Sequence, residues 1–407
     1  MAQTEEIELS ELAATLGAAS WSTGPIYAVC DIGGTNARIG FAQSTKRGRG
    51  LQVTYVRFKV TKKDVRQLVE FFELVLHELK TKLPNRGAAF FSRITSGAVS
   101  VPGPVTNSKV AGPFNNLKGI ANVEDYPAEL FPKGRSALLN DLEAGGYGVL
   151  ALSNTGLLSK YFTVMWKGSQ WDAMSDGKAP GTTLGKGRCL IAAPGTGLGS
   201  SLIHYMGVSD SYVVLPLEGG STSIAWCAGS EGEYAQTLAT FQASKRPEIT
   251  PAVAPHWESA TNGNGLQFNY AYEFDGTKTS STSPHFGKTA PEVAKLAKSG
   301  ADPAAIAAMD RLYKNLMGFC AESTMQFMPL TCVLMGDTIA LNSFYFEDPA
   351  RVQALQARLY EHTMERPYKF ISRTTFLRQV RSVNLNLIGC LGFGTQLSQP
   401  AKVPSNL

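Results

Sequence analysis

The sequence predicts an α/β protein of two lobes, and three observations carry that expectation. At 407 residues the chain is longer than one hydrophobic core organises. Apolar strand-like runs alternate along it with amphipathic helical stretches, which is the α/β pattern. One local device also occurs twice: an apolar run, a glycine turn and a second apolar run. It appears as "VCDIGGTNARIGFAQ" (29–43) and again as "RCLIAAPGTGLGSSLIHY" (188–205). One such hairpin near the start of each half points to duplicated lobes facing a shared cleft.

The elements follow in order. "MAQTEEIELSELAATLG" carries glutamates where a secretion signal needs positive charge. Its Ile7, Leu9, Leu12 and Leu16 form one face of a short helix, so residues 1–21 read as an extension docked on the body. From Ile26 come a strand, a glycine turn, the strand "RIGFAQ" and a third strand, "LQVTYVRFKV". The basic run "TKRGRG" (45–50) lies between the last two and reads as a solvated hairpin end. Val65, Leu68, Val69, Phe72, Leu76, Leu79 and Leu83 keep helical spacing and predict a helix from about 62 to 82. "SGAVSVPGPV" is a small-residue strand stopped by Pro102 and Pro104. "SALLNDLEAGGYGVLAL" is a strand that enters a helix at Asn140–Asp141. Residues 153–186 are loop-rich and read as an insertion. Beyond the second hairpin, helices are expected at 290–298, 304–328 and 349–363, with "TCVLMGD" a buried strand ending in Gly336–Asp337.

Composition narrows the function classes. Hydrophobic content of 43% with 17% charged residues suits a soluble globular chain, and forty glycines exceed the background of ~7%. A net charge of +5 without a clustered patch gives no argument for nucleic acid. No apolar run reaches the ~18 residues of a membrane span. The six cysteines (Cys30, Cys189, Cys227, Cys320, Cys332, Cys390) are far apart and form neither a disulfide framework nor a zinc pattern, which favours a reducing compartment. The histidines form no metal pair either.

Two glycine hairpins admit two readings. Glycine serves a tight turn wherever φ is positive. It also exposes backbone N–H groups that cradle phosphate, and Asp31 beside the first turn could meet the accompanying Mg²⁺. A dinucleotide fingerprint is absent, because no G-x-G-x-x-G leads from a strand into a helix. Asp141 is similarly open between a helix cap and a proton acceptor.

Five segments, in order, decide between these readings. "DIGGTNARIG", "SVPGPV", "APGTGLGSSLI", "VLMGDTIALN" and "NLIGCLGFGTQL" resemble the first phosphate, first connecting, second phosphate, adenosine and second connecting segments of the sugar-kinase, actin and Hsp70 superfamily. Within it the chain resembles the bacterial-type glucokinase family. More narrowly it is similar to trypanosomatid glucokinases in "GPFNNLKGIA", "LLNDLEAGGYGVLA" and "MPLTCVLMGD". The cysteine-rich zinc motif of the repressor-ORF-kinase glucokinases is missing.

The resemblance implies an actin-like ATPase (ribonuclease H-like) fold with an active-site cleft between the lobes. The small lobe would take 22–151 and 380–407, and the large one 152–379. The implied reaction is ATP-dependent phosphorylation of D-glucose at its 6-hydroxyl, the first step of glycolysis, with Mg²⁺. Such transfer needs positioning, charge neutralisation and a proton acceptor. The resemblance assigns the last role to Asp141. It places Asn115, Asn140, Glu218 and Glu258 on the sugar, with Ser221 where the bacterial family has histidine. Asp31 would hold Mg²⁺ through water. Gly33, Gly34, Thr35 and Asn36 would face the phosphates from one side, and Gly195, Thr196 and Gly197 from the other, with Gly336 and Asp337 facing adenosine. A homodimer is implied as well. Trypanosomatid glucokinases enter glycosomes, and the C-terminal Ser405-Asn406-Leu407 is close to the S-K-L address read by peroxisomal import receptors. The competing readings are a kinase for a related hexose or amino sugar and a catalytically inactive sugar sensor.

Overall fold

The computed structural model describes residues 2–18, 21, 23–44, 50–83, 87–114, 117–224, 230–245, 255–280, 282–361 and 371–398. The chain divides into two units, Met1–Leu158 with Val383–Leu407, and Ser159–Ser382.

The first unit is built on a six-stranded sheet. Its strands are β1 (Ala2–Glu6), β2 (Ile26–Ile32), β3 (Asn36–Ser44), β4 (Leu51–Lys59) and β5 (Ile94–Val101), completed beyond a small sheet by β9. The small sheet comprises β6 (Val105–Thr106), β7 (Val110–Ala111) and β8 (Ala121–Asn122), and β9 is Ser136–Asn140. The spatial order is β1-β4-β3-β2-β5-β9. β2, β3 and β4 form an antiparallel meander, while β5 and β9 add in parallel. Every residue of β2 is buried, which explains its unbroken apolar run: both faces of the sheet are covered.

The N-terminal helix forms at Leu9–Gly17 and buries Leu12, Ala13 and Leu16. Ahead of it stands a strand that the sequence analysis does not contain. β1 pairs in parallel with β4 from Ala2↔Leu51 to Glu6↔Tyr55. Its sequence, AQTEE, has little strand propensity, so the free edge of β4 overrides it. The helix expected from 62 starts at Arg66, because Asp64 pairs with Lys118 as a bridge and its Oδ1 accepts the Arg66 N–H at 2.9 Å. Residues 45–49 of the basic run lie outside the described residues, although Ser44↔Leu51 still closes the ladder.

Helix Asp141–Asn154 and the last helix, Leu385–Leu397, press together through glycines. A Cβ on Gly148 would sit 2.2 Å from the Leu385 carbonyl oxygen, and one on Gly389 would sit 1.7 Å from that of Ala144. Only glycine permits this approach. It fixes the helix that carries Asp141 against the helix that carries the partners of Asp31.

The second unit repeats the theme. Its strands are β10 (Phe162–Trp166), β11 (Arg188–Pro194), β12 (Leu198–Met206), β13 (Ser211–Leu217), β14 (Thr331–Leu334) and β15 (Thr375–Gln379). They lie in the order β10-β15-β14-β11-β12-β13. The stretch 153–186, read as an insertion, supplies the edge strand β10, antiparallel to β15. Its Trp171 is fully buried and donates Nε1–H to the Lys178 carbonyl at 2.8 Å. The strand is short and flanked by turn-forming residues, so its pattern alone does not reveal it. The expected helices appear as Ala290–Ser299, Pro303–Phe327 and Pro349–Glu361. The middle one packs Met309, Leu312, Tyr313, Leu316 and Phe319 into the core of this unit. Helices Ser230–Lys245 and Gly263–Asp275, and strands β13 and β15, have no counterpart in the sequence analysis. Cys30, Cys189, Cys320, Cys332 and Cys390 are free and buried, while Cys227 lies outside the described residues.

Candidate active site

Asp31 stands near the end of β2 and is 8% exposed. Its Oδ2 accepts Arg38 Nη1–H and Asn384 Nδ2–H, each at 2.9 Å, and its Oδ1 accepts Asn386 Nδ2–H at 3.0 Å. Arg38 is the cross-strand partner of Asp31 in the β2/β3 ladder. A carboxylate offers about four acceptor sites, so three donors leave it able to accept one more. That suits a hydrated cation, since Mg²⁺ gives up water reluctantly. No group of three or more His, Cys, Asp or Glu that could hold a metal occurs among the described residues. The turn itself is a tight hairpin. Gly33 N–H donates to the Asn36 carbonyl at 2.8 Å, so this amide closes the loop, and Gly34 and Thr35 form its tip.

Asn140 ends β9 and caps helix Asp141–Asn154. Its Oδ1 accepts the N–H of Leu142 at 2.9 Å and of Glu143 at 3.4 Å, and its Nδ2 donates to the Gly103 carbonyl at 3.0 Å. Glu143 answers by accepting the Asn140 N–H at 3.3 Å, which completes a capping box. The cap that Asp141 could have been is therefore Asn140. Asp141 occupies the first helical turn, half-buried, and its Oδ1 accepts the Leu142 N–H at 2.9 Å. Burial pushes the Glu143 carboxyl up to about 7. Asn115 lies outside the described residues.

In the second unit, Gly195-Thr196-Gly197 joins β11 to β12. Gly195 N–H donates to the Gly197 carbonyl at 2.7 Å, and the Gly195 carbonyl accepts Gly263 N–H at 3.0 Å from the start of helix Gly263–Asp275. The space before Gly195 is open, since a Cβ there would meet nothing within 4 Å. Gly197 is different. Its Cβ would lie 2.8 Å from Glu258 Oε2, the oxygen that accepts Leu198 N–H at 3.3 Å. Glu258 in helix Trp257–Thr261 therefore folds over the glycine turn. A short 3-10 turn, Gly219–Ser221, adjoins it, tied by Trp257 N–H to the Thr222 carbonyl at 3.1 Å. Glu218 and Ser221 are exposed on that turn.

Gly336 has φ of +100°, a left-handed value that favours glycine, and its N–H donates to Gln379 Oε1 at 2.8 Å. Asp337 follows in the short helix Asp337–Ala340 and accepts Ser382 Oγ–H at 2.8 Å. Asp337, Thr338, Leu341 and Asn262 line a cavity of about 350 Å³, joined by Lys295 and Lys298. Sequence reasoning missed Arg38, Asn384, Asn386, Glu143 and both lysines. Only two left a local signal: Arg38 is readable once the hairpin register is set, and Glu143 from the N-x-x-E capping spacing.

Comparison with known proteins adds four findings. A family model described as Glucokinase matches residues 28–355. A curated relative, "Probable glucokinase 2" from Trichomonas vaginalis, is 29% identical over 286 residues, which are 69% of this chain and 70% of that one. Among solved structures, the glucokinase of Leishmania braziliensis is 67% identical and superposes with a TM-score of 0.90, covering 98% of this chain and 100% of that one. A Balamuthia mandrillaris glucokinase, solved in complex with glucose, shares the fold at 23% identity with a TM-score of 0.74, covering 95% and 97%.

Proposed function

The chain belongs to the glucokinase family, has the actin-like α/β fold and catalyses ATP-dependent phosphorylation of glucose; we propose which of its residues do so. Asp141 accepts the proton of the sugar 6-hydroxyl as that oxygen attacks the γ-phosphorus of ATP. One observation carries this assignment. Asn140 performs the capping, which leaves Asp141 in the first turn with its Oδ1 on the Leu142 N–H, where the helix N-terminus favours the ionised carboxylate that a proton acceptor must be.

The sugar is held by carboxylates and amides. Glu258 keeps Oε1 for a sugar hydroxyl while Oε2 holds the Leu198 N–H. Glu218, Ser221, Asn115 and the second Nδ2–H of Asn140 supply further contacts. Serine at 221 reaches less far than the histidine of the bacterial family and cannot ionise, which leaves related hexoses and amino sugars as the second reading. The tip amides of Gly34 and Thr35 and those of Thr196 and Gly197 face the phosphates, with Gly33 and Asn36 closing the first turn behind its tip and Gly195 closing the second. The cavity beside Gly336 and Asp337 takes the adenosine, and Lys295 and Lys298 add positive charge near its phosphates. Asp31 holds hydrated Mg²⁺, which neutralises charge on the phosphates when bound.

Homodimeric assembly, a place at the first step of glycolysis and glycosomal import complete the reading. Ser405-Asn406-Leu407 lies outside the described residues. Deleting it should move a fluorescent fusion from organelle to cytosol, and a cytosolic intact fusion overturns that address. The reaction itself is tested by coupled assay of ADP formation across a hexose panel. Glucose should give the highest kcat/KM; a higher value for another hexose or an amino sugar establishes the second reading.

A further inference from the structure

A second cavity in the Ser159–Ser382 unit, about 330 Å³, lies between edge strand β10 and helix Pro349–Glu361. Arg378 of β15, paired with Thr163 in the ladder, is only 8% exposed and lines this cavity with Phe346, Glu347, Val352, Gln353 and Gln356. Its guanidinium carbon lies 5.2 Å from the centre of the Phe346 ring. Nη1 is buried without an acceptor, and no hydrogen bond or ion pair joins this guanidinium to any described residue. Arg93 makes the contrast: its guanidinium donates to the carbonyls of Gly24 and Trp21. The Phe346 ring face and a through-space carboxylate do not satisfy N–H donors, and a buried donor left without an acceptor is unfavourable.

We propose that this cavity is a binding site for a small organic monocarboxylate, held by Arg378. A guanidinium presents a planar fork of donors that matches a carboxylate in two parallel hydrogen bonds. Charge selects the class further. Exposed Glu347 lines the same cavity and acts on Arg378 through space, so the site has no surplus positive charge for a second negative charge, and a monocarboxylate on the guanidinium fork matches it better than a dianion such as phosphate. The walls of Phe346 and Val352 suit a short apolar stem, and Gln353 and Gln356 offer amides to a polar end. The site shares no residue with those assigned to glucose or ATP.

The test uses full-length protein and butyrate as probe, with inorganic phosphate and matched sodium chloride as controls, read by calorimetry and thermal unfolding. Wild type should show saturable butyrate binding and a rising unfolding midpoint. Arg378→Met should fold and lose both responses. Glu347→Gln should bind butyrate several-fold more tightly. If Arg378→Met does not fold, Arg378→Lys keeps the charge without the fork and should weaken butyrate about tenfold. The proposal is overturned by a wild type that ignores butyrate, by an equal response in the Arg378 variants, or by phosphate binding more tightly than butyrate through Arg378.

Discussion

Gly389→Ala tests how the helix that carries Asp141 is held against the helix that carries the partners of Asp31. The added methyl would lie 1.7 Å from the Ala144 carbonyl oxygen, 2.7 Å from its carbon and 2.8 Å from Gly148 N. The shortest of these is about 1.7 Å closer than ordinary van der Waals contact, and every atom met is backbone. No side chain can rotate away, so the helices must separate. Two effects compete. Alanine improves helix propensity by about 1 kcal/mol, whereas overpacking a rigid contact costs about 3 kcal/mol or more. Overpacking wins, with a net loss of about 2 kcal/mol or more. At about 2–4 °C per kcal/mol, the unfolding midpoint of this unit should fall by about 4–8 °C. Activity should fall as well, because Asn384 and Asn386 meet Asp31 from one helix while the other presents Asp141. Gly392→Ala is the control. Its methyl would meet Ala151 Cβ at 3.2 Å, a contact that small shifts relieve, so propensity roughly cancels it. Thermal unfolding by circular dichroism with coupled kinetics checks both variants. Equal midpoints for Gly389→Ala and Gly392→Ala would refute the packing argument.

Two further predictions concern single carboxylates. Glu143 is raised from 4.5 to about 7 by burial, so below pH 4.5 it is protonated in both states. Between those values the unfolded chain releases the proton and the folded chain keeps it, so stability falls as pH rises and the loss is complete above 7. The limit is about 3 kcal/mol, less for partial exposure. Glu143→Gln keeps the capping bond and should stabilise the protein at pH 8 but not at pH 4, measured by urea unfolding; an unchanged pH dependence contradicts this. Gly197→Ala places a methyl 2.8 Å from Glu258 Oε2, the end of a flexible side chain that yields. The midpoint should move by less than about 2 °C while KM for glucose rises about tenfold through the displaced carboxylate. An unchanged KM would remove Glu258 from the sugar site.

What was legible in the sequence was local. The two glycine hairpins and the Asn140–Asp141 junction each lie within about twenty residues, where strand propensity, glycine and capping chemistry act together, and all three form. What was hidden depends on distance along the chain. Asn384 and Asn386 meet Asp31 only because the last helix docks on Asp141–Asn154, and the glycines that permit it show their reason only when the backbones touch. β1 and β10 are edge strands whose partners, not their own residues, make them strands. The Asn140 side chain shows a subtler limit. The motif marks the position, but only the structure shows that 140 caps and 141 does not.

Asp141→Asn probes the proposed proton acceptor itself. The substitution keeps shape and a hydrogen-bond acceptor but removes basicity. Folding should survive because Asn140 holds the cap. Glucose titrated calorimetrically against wild type and variant, beside coupled ADP release, separates binding from chemistry. The variant should fold, bind glucose within several-fold of wild type and turn over about 10²–10⁴ times more slowly. A variant that binds glucose and phosphorylates it at the wild-type rate would remove Asp141 from the proton transfer.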